Sequence, residues 1–335
     1  MTIPGWPRIG VDIGGTKIAV GLVWRDGSVT GRRVRATPAA AGADRVLAAV
    51  IDLVRELAPD AACVGIGAPG AVDTRTGNVC FATDLLPGWA GTPVGDAVES
   101  ASGLRTLVDN DVNVLALGEL RRGAAIGNDA VLYVSVGTGV GGALALGGRI
   151  VRGARGVAGE LGHLSVAGPV RARPCACGRT GHLEAAASGP AIEAAYGAPG
   201  VDLREIARRA HAGESRAGAV IEEAAVALGR TLAGLVSALD PQALVVGGGV
   251  AGIGPRFTDP LADALRAEVL PPLRTIPVLT AALGLDAPLV GAALLPEDLT
   301  IAVDGNDSTF SAGSGQSTAL VDPDETDNSF AAKRM

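Results

Sequence analysis

The sequence predicts an α/β protein of two domains built around a duplicated strand–turn–strand unit. Two glycine–threonine turns of one kind lie far apart in the chain, the first holding Asp12, Gly14, Gly15, Thr16 and Lys17, the second Ser135, Gly137, Thr138, Gly139 and Gly142. Each sits between two short apolar runs, residues 9–13 and 18–23 for the first, 132–136 and 143–146 for the second. That is the pattern of a strand, a tight turn and a returning strand. Around these units, segments of strand length alternate with segments of helical spacing, which implies a mostly parallel sheet covered by helices. A chain of 335 residues is long enough for two domains with substantial cores.

Composition narrows the class. Hydrophobic residues make up 48% of the chain but aromatic residues only 3%, so alanine, valine and leucine must fill the interior. A formal net charge of −7 argues against a nucleic-acid surface, which would carry a basic stripe. Residues 1–8 lack a basic segment followed by an apolar core, so a signal peptide is not expected. No apolar run reaches the roughly 18 residues of a membrane span. Of the four cysteines, Cys63 and Cys80 are isolated, so a disulfide framework is not expected and a reducing, cytoplasmic setting is.

Taken in order, residues 44–57 have helical apolar spacing, with Asp44 as the expected N-cap before Val46, Leu47 and Val50. Residues 63–66 read as a buried strand ending in Gly67, Ala68, Pro69 and Gly70. A helix is expected over 95–102, a strand over 104–108 and a helix over 114–121. The second half begins near Asn110 and repeats the style. Its clearest helix is 221–239, where Ile221, Ala225, Leu228, Leu232, Leu235, Val236 and Leu239 form an apolar stripe that Asp240 and Pro241 end. Residues 243–246 form a strand running into Gly247, Gly248 and Gly249. The expected division is a small α/β domain over 1–109, completed by a C-terminal helix at about 288–299, and a larger one over 110–287. Residues 300–335, rich in Asp, Ser, Asn and Gly, are expected to form a disordered acidic tail.

The chemistry lies in three places. Glycines let backbone N–H groups approach an anion, and a threonine hydroxyl adds a donor, so two such turns suit a phosphate chain gripped from both sides. Cys175, Cys177 and His182 form a short loop, with His163 ahead of it, among only three histidines in the chain. Two thiolates and two imidazoles make a complete tetrahedral zinc set with no position left for water, the signature of a structural site. The alternative is a pair of free thiols and a surface histidine.

The carboxylates form the third group. Asp109, Asn110, Asp111 and Asn113 join a strand to a helix. They read either as a helix cap or as the location of a base, because a carboxylate at a helix N-terminus stays ionised and can accept a proton. Phosphoryl transfer needs a base that orients a hydroxyl, and the nearby phosphate turns favour that role for Asp111. Glu160, His163 and Glu184 read either as ordinary surface or helix-start residues or, with Asn110, as a pocket for a sugar's several hydroxyls.

These motifs together resemble the ROK family (repressors, open reading frames and kinases), especially its bacterial glucokinase branch. The resemblance covers roughly residues 8–298. It rests on Asp12 to Lys17, Ala68 to Gly70, Leu86 to Trp89, Asn110 and Asp111, Gly137 to Gly139, Gly156 to His163, Cys175 to Gly181, and Gly247 to Gly249. It implies an actin-like, ribonuclease-H-like two-domain ATPase fold with the site in the interdomain cleft, and a homodimer or homotetramer. Asp111 would be the base toward the sugar 6-hydroxyl. Asn110, Glu160, His163 and Glu184 would contact other hydroxyls, with Gly70 and Thr83 nearby. Asp12 would work with Mg²⁺, and Gly14, Gly15, Thr16, Lys17, Thr138 and Gly139 would hold the phosphates of ATP. Gly248 and Gly249 would lie beside the adenosine. His163 would ligate zinc and also orient the sugar. Two positions depart from the family pattern: His182 stands where a third cysteine is usual, and Asp84 where glucokinase-like sequences often carry Asn.

The resemblance makes an ATP-dependent hexokinase acting on glucose the leading expectation, with an N-acylhexosamine kinase for N-acetylglucosamine or N-acetylmannosamine close behind. A polyphosphate-dependent enzyme is disfavoured by the Thr16–Lys17 pattern. The family's repressors carry an added N-terminal DNA-binding domain, for which the expected start of the first turn at Asp12 leaves no room. A catalytically silent sugar-binding protein is disfavoured by the presence of Asp12, Asp111 and Thr138.

Overall fold

The computed structural model describes residues 5–83, 86–167 and 173–304, so Asp84 and residues 305–335 of the expected tail lie outside the described residues. The first half runs β1 (Arg8–Ile13), β2 (Lys17–Val23), β3 (Val29–Ala36), α1 (Ala43–Leu57), β4 (Val64–Ala68), β5 (Ala71–Asp73), β6 (Asn78–Phe81), α2 (Val94–Ser102) and β7 (Thr106–Asn110). The second half runs α3 (Asp111–Arg122), β8 (Val131–Val136), β9 (Val140–Leu146), β10 (Arg149–Val151), α4 (Glu184–Ala187), α5 (Gly189–Tyr196), α6 (Leu203–His211), α7 (Ser215–Leu239), β11 (Ala243–Gly247), α8 (Pro255–Glu268), β12 (Val278–Thr280), α9 (Ala287–Ala293) and α10 (Leu295–Asp304).

The two main sheets have one topology. Strand order is β3-β2-β1-β4-β7 in the first and β10-β9-β8-β11-β12 in the second. In each, a glycine-turned antiparallel hairpin (β1–β2, β8–β9) continues antiparallel on one side, to β3 or β10, and parallel on the other, to β4 and β7 or β11 and β12. The repeated turn motif is therefore one local sign of a repeated sheet. A small separate pair, β5–β6, follows the first sheet's β4.

Apolar periodicity places the helices. On α1, Val46, Val50, Leu53, Val54 and Leu57 are buried against the first sheet. On α7, Ile221, Ala225, Leu228, Leu232 and Val236 are buried in the second core, and Asp240 ends the helix in the left-handed region. Several boundaries differ from the sequence reading, α7 for one starting at Ser215 rather than at 221. The N-cap of α1 is Gly42, and Asp44 lies in the first turn without capping. There it acts through its charge near the helix N-terminus rather than by a hydrogen bond. β7 extends to Asn110 and α3 starts at Asp111, three residues ahead of expectation, because the Asn110 side chain accepts from Val112 N and Asn113 N and turns the chain immediately. The single C-terminal helix expected over 288–299 is two, α9 and α10, and the second reaches Asp304.

Between the sheets lies a third apolar layer formed by α3 and α9 with residues such as Leu117, Tyr133, Val245 and Leu289. Here backbone meets backbone. A side chain at Gly65 of β4 would collide with the carbonyl of Ala292 on α9, and one at Gly10 of β1 with that of Leu289. Gly65→Ala is expected to destabilise the fold by about 1–3 kcal/mol or more, because rigid backbone cannot yield as a side chain can. Urea unfolding measures the loss, and an unchanged midpoint would contradict the close approach. Among the described residues, no helix is long and apolar enough to cross a membrane.

Candidate active site

Register brings the predicted residues to one edge. Asp12 on β1 pairs with Gly67 on β4, Gly67 with Asp109 on β7, and Ala68 with Asn110. The parallel strands therefore end together, and Asp12, the 68–70 turn and the Asn110–Asp111 corner share the carboxyl edge of the first sheet. In the second sheet, Ser135 pairs with Gly247, so the second glycine turn and Gly248 share the equivalent edge. Ligands of open α/β sheets bind at such edges.

The corner at Asp111 is tightly specified. Asn110 caps α3 through Oδ1, and its Nδ2 donates to the Gly70 carbonyl (3.0 Å). Beneath that turn, the buried Trp89 donates from Nε1 to the Pro69 carbonyl (3.1 Å). Asp111 Oδ1 accepts from Val112 N at 3.0 Å. A helix terminus alone would keep this carboxyl ionised, as the sequence reading expects, but burial is the larger effect. Burial, then the neighbouring Asp12, with a further push from Glu160, raises Asp111 to about 7 against the pull of the Val112 N–H. Burial also raises Asp12 to about 6, although Lys17 and Arg32 pull it back. Thr83 is exposed on the loop following β6.

Both turns are closed by their own backbones. In the first, Gly14 N donates to the Lys17 carbonyl (2.9 Å) and Thr37 Oγ1 to the Gly14 carbonyl (2.6 Å), next to Gly15 and the exposed Thr16 and Lys17. In the second, Gly137 N donates to the Gly139 carbonyl (2.8 Å), and Thr138 is exposed at the tip. Gly248 presses against this turn: its φ is +87°, and a Cβ there would collide with the Val136 backbone. Gly249 follows it, and Val250 N donates to the Val136 carbonyl at 2.9 Å.

The remaining polar residues form a chain from this turn to the cysteine loop. Glu184 starts α4, and its Oε2 accepts from Val140 N at 3.1 Å, just beyond Thr138 and Gly139. Burial raises the Glu160 carboxyl; His163 lowers it and Glu184 raises it further. His163 faces two ways, Nδ1 3.9 Å from Cys175 Sγ and Nε2 3.8 Å from Glu160 Oε2. His182 Nδ1 lies 3.2 Å from Cys177 Sγ. The loop is folded by Cys175 N donating to the Arg179 carbonyl (2.7 Å) and Gly178 N to the Cys175 carbonyl (3.0 Å).

One group escaped the sequence reading. Arg152, just past β10, contacts Asp109 Oδ2 through Nε (2.9 Å) and Asp298 Oδ2 of α10 through Nη2 (2.7 Å). Asp109 and Asp298 are almost fully buried. No local motif marks Arg152 or Asp298; only the pairing of distant elements brings them together.

The sequence profile of the ROK family matches residues 8–298. The chain belongs to the ROK family. Among its relatives, a glucokinase of Halalkalibacterium halodurans is 32% identical over 312 residues, covering 86% of this chain and 94% of that protein. An N-acetylmannosamine kinase of Shigella boydii is 35% identical over 296 residues, covering 86% and 98%. The crystal structure of a ROK glucokinase from Streptomyces griseus, in complex with glucose and AMPPNP, superposes with a TM-score of 0.77 at 36% identity over 87% of this chain and 99% of that one. The duplicated sheets of this ROK protein are thus the actin-like kinase fold.

The donor sets of this ROK chain fit the two metals the family resemblance implies. His163, Cys175, Cys177 and His182 offer ligand atoms all within 4.8 Å of one another. Tetrahedral zinc with Zn–N near 2.0 Å and Zn–S near 2.3 Å needs ligand atoms about 3.3–3.8 Å apart, so small side-chain shifts close the set. Asp12 and Asp111 each sit in a buried setting that penalises their charge, and Asp12 raises Asp111 further. A hard cation held by such oxygens relieves that cost.

Proposed function

We propose that this protein, an ATP-dependent sugar kinase of the ROK family, phosphorylates the 6-hydroxyl of a hexose, with glucose as the first substrate and Asp111 as the base. The observation that carries the reading is the convergence of Asp12 and Asp111 at the strand ends, with Glu160 brought near Asp111 on the loop after β10 and the glycine turns on the same edges. Asp111, with its proton affinity raised toward neutrality, orients the hydroxyl and takes its proton as the phosphoryl group transfers. Asn110 caps α3 through Oδ1 and gives one Nδ2 hydrogen to the Gly70 carbonyl, which leaves its second Nδ2 hydrogen to meet a sugar oxygen. Glu160, His163 and Glu184 contact further hydroxyls, with Gly70 and Thr83 beside them.

Gly14, Gly15, Thr16, Lys17, Thr138 and Gly139 hold the phosphates, and Gly248 and Gly249 flank the nucleoside. Mg²⁺ held through Asp12 would offset charge developing on the phosphate oxygens. Zinc on His163, Cys175, Cys177 and His182 is structural in this reading. The functional cleft lies between a unit built on residues 1–109 with the C-terminal helices and a unit over 110–287. A cytoplasmic homodimer or homotetramer completes the reading, which light scattering checks.

A second reading, N-acylhexosamine kinase, is favoured by the 35% identity to the Shigella boydii enzyme. ADP release from Mg·ATP with glucose, mannose, fructose, N-acetylglucosamine and N-acetylmannosamine separates the two. Turnover highest with glucose supports the first, turnover highest with an acylated amino sugar the second, and none with any of them rejects both. Thr138→Val removes one hydroxyl donor to a phosphate and is expected to weaken ATP binding roughly tenfold while sugar binding holds. Unchanged nucleotide affinity by calorimetry would remove Thr138 from the site.

A further inference from the structure

Arg152 takes no part in the contacts assigned above to sugar or phosphate, yet it joins three parts of the molecule behind the base. We propose that Arg152 is a positioning residue: through Asp109 and Asp298 it locks the corner carrying Asn110 and Asp111 to the second sheet and to α10. The proposal rests on the reading of Asp111 as the base.

The geometry makes Asp109 a clamp around Asp111. Its Oδ1 accepts from Asn110 N (2.8 Å) and from Asn113 Nδ2 (3.0 Å), so it grips residues on both sides of Asp111. Its Oδ2 is held by Arg152 from the end of β10. The main chain of Arg152 fixes a second catalytic element. Its carbonyl accepts from Ala158 N at 3.1 Å, closing the loop that delivers Glu160 toward Asp111. One residue thus sets the base corner through its side chain and the Glu160 loop through its backbone. Asp298 pins the same guanidinium to α10.

A purely stabilising role fits this cluster poorly. Buried ion pairs recover little of their desolvation cost, and an apolar replacement is often as stable. Here Asn113 Oδ1 and Asp298 Oδ1 are also buried without a partner among the described residues. Each such atom adds a desolvation cost that no hydrogen bond offsets. What the cluster provides is a fixed direction: the planar guanidinium holds the two carboxylates through donors fixed in one rigid fork, whereas the donors of a lysine ammonium rotate freely on a flexible stem.

The test is steady-state kinetics on the full chain, with thermal unfolding in parallel, for Arg152→Met, Arg152→Lys, Asp298→Asn and Asp111→Asn. Misplacing a reacting group by about 1 Å costs on the order of 100-fold. Arg152→Met is therefore expected to lower kcat roughly 10- to 100-fold with the KM for ATP unchanged. Arg152→Lys, which keeps the charge but loses the fork, is expected to recover part of that loss, and Asp298→Asn to lose less than Arg152→Met. A tie that served stability alone would lower the melting temperature and leave kcat intact well below it. Unchanged kcat in Arg152→Met and Asp298→Asn overturns the proposal; if Arg152→Met does not fold, unchanged kcat in Arg152→Lys and Asp298→Asn does so. Turnover lost in Asp111→Asn but kept in the Arg152 variants overturns this role alone. Absence of turnover in the unmodified protein with every sugar overturns the kinase reading, and this role with it.

Discussion

Asp111→Asn is expected to lower turnover by a factor of about 10²–10⁴, the usual contribution of a positioned base, while sugar affinity changes little. The amide keeps the shape and the Val112 N–H contact but cannot take a proton. The same substitution has a second, opposite signature in the free protein. The folded Asp111 carboxyl titrates at about 7, against an ordinary value of 3.8. Between those values the folded state holds the proton that the unfolded chain releases, so this group's cost to stability is absent below about pH 4 and complete above about pH 7. At 1.36 kcal/mol per unit the full shift bounds that cost near 4 kcal/mol; because Asp111 is partly exposed, about 1–2 kcal/mol is expected. Without ligand, Asp111→Asn should therefore melt above the unmodified protein at pH 8, and the difference should vanish near pH 4. For the unmodified protein, kcat/KM should fall as pH drops below about 7, because a protonated carboxyl cannot serve as base. Near-normal turnover in the variant would remove Asp111 from that role, and a melting difference independent of pH would refute its raised titration.

What the sequence disclosed was what lies close together along the chain. The two glycine turns, the cysteine loop and the Asn110–Asp111 corner each use neighbouring residues, so each could be picked out directly, and the repeated turn foreshadowed the repeated sheet. The early start of α3 was harder, because it depends on which way one asparagine side chain points. Gly10 and Gly65 are visible in the sequence, but the α9 carbonyls that demand them lie more than two hundred residues away. Likewise the Arg152–Asp298 contact spans 146 positions and carries no spacing signal. The upward shift of Asp111 was also out of reach. A helix terminus predicts the reverse, and only the tertiary arrangement shows burial and the Asp12 and Glu160 carboxylates outweighing it.

Cys177→Ser is expected to remove bound zinc, lower the melting temperature by about 10 °C or more, and raise the sugar KM on the order of 10- to 100-fold with little change for ATP. The stability loss follows from the loop's construction. Residues 173–182 are held by a few backbone hydrogen bonds and two isolated bridges, Ser165 to His182 and Pro174 to Thr180, without an apolar core of their own. Structural zinc supplies roughly 10–16 kcal/mol in peptides that fold only around the metal. In a domain with its own core, only the part that orders this loop is lost, and a few kcal/mol suffice for the expected shift. The selectivity for sugar follows from His163. A metal held through Nδ1 would fix the tautomer, leaving Nε2 to carry the hydrogen that could then be donated toward Glu160 or a sugar hydroxyl. Without the metal, the ring can rotate and exchange tautomers, and outer-shell losses of this kind typically cost 10- to 100-fold. The glycine turns, held by separate contacts, should keep their grip on ATP. Elemental analysis, thermal unfolding and the two KM values measure the three effects together. Zinc retained at full occupancy in the variant, or an unmodified protein purified without zinc yet equally stable after chelation, would refute the site. Zinc lost with an unchanged sugar KM would confine it to structure and detach His163 from the sugar.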